Sequence, residues 1–189
     1  MRAAAALVVV LAAAVPAGCG GDDGEPLETG AAVPGFAFVE SDVAEGESID
    51  PRYTCDGENV SPALAWEGVP EDTAELALVV EDPDAPGGLF THWLAYGLNP
   101  GTTELPAEVP AGRPVDGGPV VLQGANDFGD DAFGGPCPPG GEEHRYVFRL
   151  LALDAPTGLD GGASREELLA AAEDHVIGEA RLTATYSRP

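Results

Sequence analysis

Proline and glycine punctuate this chain so often that the room between them suits short strands. It has 26 Gly and 18 Pro in 189 residues, and proline removes a backbone donor while fixing φ near about −65°. The apolar runs left between these breaks are LALVV (76–80), HWLAYGL (92–98), RYVFRLLAL (145–153) and ARLTATY (180–186). Each is continuous or alternating and rich in Val, Leu, Thr or aromatic residues, the pattern of β-strands. The expectation is a mostly β fold with long irregular loops over 100–119 and 124–143. Loops of that length in a compact domain usually carry function.

One helix is marked, over SREELLAAAEDH (164–175). Ser164 with Glu167 three residues on forms a capping box for the first turn. Leu168, Leu169 and Ala172 supply an apolar stripe. His175 is expected in the last turn, where a cation suits the helix dipole, and Gly178 is expected to end the helix before the final strand.

Residues 1–18 read as an export signal: Arg2 gives the positive end, Ala3 to Val15 the apolar stretch, and Ala17 and Gly18 the small residues before a cut. The stretch is shorter than the about 20 apolar residues a bilayer span needs, and a buried helix would want a polar face that it lacks. Cys19, directly after Ala17-Gly18, resembles the lipobox cysteine of bacterial lipoproteins. That resemblance implies a lipidated Cys19 and an extracytoplasmic cell-membrane protein, with a secreted or periplasmic one as the alternative. Residues 19–34 are Gly-, Asp-, Glu- and Pro-containing and read as a flexible acidic tether. Residues 35–189 remain as a single domain.

The formal net charge is −25, with no lysine in the chain. Such a surface argues against nucleic acid and against electrostatic adsorption to anionic lipid, and solubility or salt adaptation accounts for it plainly. With Cys19 acylated, Cys55 and Cys137 are left in an exported protein, where disulfides persist. The sequence leaves open whether they are bridged or stand as two thiols.

Chemistry gathers at two strand mouths. Asp82 ends one apolar run, a Pro-stiffened loop containing Pro83, Asp84 and Pro86 follows, and His92 opens the next. If these strands pair antiparallel, Asp82 and His92 face each other across the loop. His144 likewise opens a strand behind the loop GGPCPPGGEE (134–143) and shares a strand face with Tyr146 and Phe148. Imidazoles donate to anions, and an aspartate orients an imidazole. Cys137 with His144 as nucleophile and base, or Asp82, His92 and His144 as metal ligands, are the enzymatic alternatives; no nucleophile-elbow, HExxH or phosphate-loop motif accompanies them.

The blocks YTCDGENVSPALAW (53–66), DPDAPGGLFTHW (82–93), GANDFG (124–129) and GPCPPGGEEHRYVFRLLALD (135–154) together resemble the phosphatidylethanolamine-binding protein family, in its bacterial YbhB/YbcL-type, Raf kinase inhibitor-like branch. The resemblance implies a β-sandwich around a large antiparallel sheet, no cofactor, and a non-catalytic pocket for a small anion, phospholipid head group or phosphorylated ligand. Asp82, His92, His144 and Tyr146 would line the pocket, with Pro86, Cys137 and Pro138 at its rim. Some members inhibit a kinase or protease by docking, which is the alternative role. Glu142 and Glu143 add negative charge beside the site, so the expected anion binding is weak and improves as the histidines protonate.

Overall fold

The computed structural model describes residues 32–111 and 121–188. The signal, Cys19 and nearly all of the tether lie outside the described residues, as does part of the 100–119 loop. Two antiparallel sheets form. The larger has five strands in the order β6-β4-β3-β7-β8, built from β3 (Glu75–Asp82), β4 (Phe90–Leu98), β6 (Leu122–Gln123), β7 (Glu143–Leu153) and β8 (Val176–Ser187). The smaller has three, in the order β1-β2-β5, from β1 (Ala37–Val39), β2 (Leu64–Glu67) and β5 (Glu104–Leu105). The expected β-sandwich with one short helix is what the chain adopts.

Burial explains the strand sequences. Every residue of β3 is buried, because the central strand is covered on both faces and so reads as a continuous apolar run. Leu76, Leu78 and Val80 join Trp93, Phe148, Leu150 and Trp66 in the core between the sheets. Ala77 and Val79 join Leu94, Tyr96, Leu151 and Leu153 on the other face, beneath Leu168, Leu169 and Ala172 of α1 (Arg165–Ala172). β8 lies at the sheet edge and alternates in burial. Its outer groups are partly paired by the segment before it in space: Ile49 N–H donates to Thr185 O at 2.8 Å, and Thr185 N–H to Glu47 O at 2.9 Å. Such cover blunts an edge against pairing with other chains.

The capping box forms as expected, with Ser164 and Glu167 each accepting from the other's backbone N–H. The helix stops at Ala172, earlier than the sequence suggested. Glu173 and Asp174 follow, and acidic side chains at a C-terminus oppose the helix dipole. His175 therefore sits in the turn beyond the helix, where its Nδ1 lies 2.8 Å from Asp154 Oδ1. Gly178 is not a helix stop but a residue of β8 paired with Ala152. A Cβ there would come within 2.9 Å of Val33 Cγ2, so the absent side chain admits the N-terminal segment against the strand.

Candidate functional site

The site begins with an irregularity in the β3–β4 pair. Val80 pairs with Trp93 and Glu81 with Thr91, leaving His92 as the extra residue on β4. In a regular strand His92 and Trp93 would point to opposite faces. The bulge instead turns His92 to the same side as Trp93, and its ring meets that of Tyr146 at 5.2 Å. Re-aiming a side chain beside a functional site is a recurrent use of β-bulges. Phe90, not His92, stands opposite Asp82.

Asp82 is held from two sides. Its Oδ1 accepts from Asp84 N–H at 2.8 Å, a turn made by the Asp-Pro-Asp sequence, and its Oδ2 lies 2.7 Å from His144 Nδ1. Asp84 in turn accepts from the backbone N–H and guanidinium of Arg145. The loop after β3 is thereby fastened to the start of β7.

The 134–141 loop closes the other side. Gly134 N–H donates to His92 O at 2.9 Å, and His92 Nδ1 lies 2.7 Å from Gly134 O. Gly135 N–H donates to Asn59 Oδ1 at 2.8 Å. A Cβ on Gly135 would fall 2.3 Å from Tyr53 O, so only glycine lets this loop lie against the turn that follows Pro51–Tyr53. Cys55 and Cys137 are joined in a disulfide with Cα atoms 5.4 Å apart, and Cys55 N–H donates to Pro136 O.

Three sequence-expected residues converge: Asp82, His92 and His144 are each 3% exposed, and Tyr146 is fully buried beside them. Pro138 is buried in the closing loop, whereas Cys137 and Pro86 are exposed on its outer side and on the loop after β3. Cys137 is no nucleophile, because its sulfur is bonded to Cys55. The metal alternative fails on geometry as well. Among the described residues no group of three His, Cys, Asp or Glu is arranged to hold a metal.

The two imidazoles are electrostatically unlike. His144 is drawn down in pKa by burial, but the hydrogen bond and charge of Asp82, with Glu142 and Asp84, outweigh this and hold it above the ordinary histidine value. Its protonated form presents an Nε2–H donor opposite the anchored Nδ1. Burial lowers the pKa of His92, only partly offset by Gly134 and Asp82. His92 is therefore neutral at pH 7, and since Nδ1 donates to Gly134 O, its Nε2 is an acceptor. The surroundings thus favour the protonated form of His144 and the neutral form of His92. Burial and Asp82 also push the Tyr146 hydroxyl upward, so it stays protonated. That hydroxyl is buried and makes no hydrogen bond of proper geometry, although the Cys137 backbone approaches it.

Sequence reasoning missed the aromatic wall here. Phe128 lies edge-on to His92 at 5.4 Å and to Phe90 at 4.8 Å, and is 49% exposed. Its place beside "ND" in GANDFG was the available signal.

Fold and site together define an antiparallel β-sandwich protein in which the buried Asp82, His92 and His144 gather at one end of the central strands. The family model for phosphatidylethanolamine-binding protein matches residues 39–187, and the chain belongs to that family. It is 52% identical over 141 residues to a UPF0098 protein of Methanothermobacter thermautotrophicus, covering 74% of this chain and 91% of that one. A UPF0098 protein of Aquifex aeolicus is 43% identical over 145 residues, covering 76% and 83% of the two chains. Among solved structures, the phosphatidylethanolamine-binding protein homologue CT736 of Chlamydia trachomatis superposes with a TM-score of 0.74 at 32% identity, covering 83% of this chain and 100% of that chain. YbcL of E. coli gives 0.74 at 32% identity, covering 82% and 99%.

Proposed function

We propose that the cluster of Asp82, His92, His144 and Tyr146 binds a small phosphate-type anion without catalysing its reaction. The observation that supports this most is the His144–Asp82 pair at 2.7 Å. A buried carboxylate orients the ring, favours its charged form and directs Nε2–H away from itself. Tyr146 offers a second donor in its orphaned hydroxyl, and His92 Nε2 offers an acceptor for a protonated oxygen. Two donors beside one acceptor match the mixed oxygens of a hydrogen phosphate or a protonated phosphate monoester.

Five arginines among the described residues are paired with carboxylates. Arg52 pairs with Glu58 and Glu108, Arg145 with Asp84, Arg149 with Glu179, Arg165 with Glu81 and Arg188 with Asp56. An anion reaching the site thus relies on imidazole and hydroxyl donors, which suits weak binding. Titration calorimetry with inorganic phosphate and phosphoethanolamine between pH 5.5 and 8 tests the reading. Binding is expected at the acid end, fading as pH rises through the elevated His144 pKa, and lost in His144→Ala. Flat traces at every pH would overturn it.

We also propose that Cys19 carries a lipid holding this domain at the outer side of the cell membrane, on the strength of the signal-like segment before it. Mass spectrometry of the membrane fraction is expected to show the acylated cysteine, and a Cys19→Ala chain found equally in membranes would count against it.

A further inference from the structure

Glu142 is the one acidic residue of the GGEEH segment that touches the site. Its Oε2 lies 3.5 Å from His144 Nε2, on the ring edge opposite Asp82. The two carboxylates are held very differently. Asp82 is 5% exposed in its side chain and sits 2.7 Å from Nδ1, whereas the Glu142 side chain is 61% exposed and reaches only 3.5 Å. The first is a strong charge-assisted hydrogen bond and the second is longer than one. The backbone of Glu142 is fixed, its N–H donating to Pro139 O at 3.1 Å. Only the side chain is free to leave.

We propose that Glu142 is a tethered carboxylate occupying the place of the ligand's oxygen on His144 Nε2, and that it sets which anions the site accepts. This rests on the anion-site reading above. A carboxylate attached two residues from His144 is present at an effective concentration in the millimolar range or above. A free carboxylate offers His144 nothing the tethered one lacks, so it competes only at comparable concentration. A phosphate-type anion brings further oxygens for Tyr146 and an OH for His92, contacts that Glu142 does not make. The site therefore discriminates tetrahedral phosphate groups from carboxylates by making both compete with a resident carboxylate.

The test compares wild type, Glu142→Gln, Glu142→Ala and the control Glu143→Gln, with inorganic phosphate and acetate as probes. Calorimetry is run at pH 5.5, where even an unperturbed histidine is mostly protonated. Glu143→Gln removes the same charge from the neighbouring position without removing the contact. If the carboxylate occupies Nε2 about nine-tenths of the time, its removal tightens phosphate binding about tenfold. Both Glu142 variants are expected to show that gain and to bind acetate, which wild type and Glu143→Gln do not. Phosphate binding to the Glu142 variants alone supports the inference equally. Phosphate affinity equal in wild type and both Glu142 variants, or acetate binding wild type as tightly as it binds those variants, overturns it and leaves the anion site standing. No phosphate binding by any of the four overturns both.

Discussion

His144 and His92 lie within one cluster yet carry opposite protonation tendencies, because a buried carboxylate outweighs burial at His144 while burial prevails at His92. Asp82→Asn removes the charge that holds the His144 pKa up. The expected outcome is a lower His144 pKa by NMR titration and a loss of phosphate affinity of about tenfold or more, in line with losing a charge-assisted contact. The same shift acts on stability. A histidine whose folded pKa exceeds its unfolded value stabilises the fold fully below about pH 6.5, and that contribution fades as pH rises through the folded pKa. Thermal unfolding followed from pH 5.5 to 9 should show this decline in wild type, and Asp82→Asn should flatten it. The chemistry of Asp82, His144 and Tyr146 was legible in the sequence, since Asp82 ends one clear strand, His144 stands at the start of another, and Tyr146 shares its face two residues on. The lowered pKa of His92 was not, because it follows from burial in the packed fold, and its tautomer is set by a carbonyl 42 residues away in sequence.

Among the elements, the four long strands and the helix were legible because burial on one or both faces stamps a period on the sequence. β1, β2, β5 and β6 span two to four residues, too few to show any period, and they exist by pairing with longer neighbours. The bulge at His92 was illegible for a different reason: alternation predicts the wrong face wherever one residue is inserted. The helix lies across the larger sheet from the core that Tyr146 borders. Ser164→Ala, which removes the N-cap acceptor, should cost about 1 kcal/mol in urea unfolding while leaving phosphate affinity unchanged.

At the scale of the molecule, a net charge of −25 repels the anions we propose the site holds. Raising ionic strength from 10 to 100 mM shortens the Debye length from about 30 to about 10 Å, so phosphate binding should tighten by about twofold to threefold rather than weaken. A salt dependence of the opposite sign in calorimetry would count against a site lying in the chain's own negative field. Acidity was plain from composition, but its local meaning was not: Glu142 meets a histidine while most of the arginines are already engaged. The Cys55–Cys137 bond spans 82 positions, and its loss in Cys137→Ser should lower stability by on the order of 4 kcal/mol, measured by denaturant unfolding under non-reducing conditions.

That bond also makes most of the sandwich a covalent ring. The chain from Cys55 to Cys137 contains β2, β3, β4, β5 and β6, while β7 and β8 continue outside it. Any single protease cut between those cysteines opens the ring without releasing a fragment. Asp82 and His144 then remain parts of one molecule, and the two pieces separate only when cleavage is followed by reduction and unfolding.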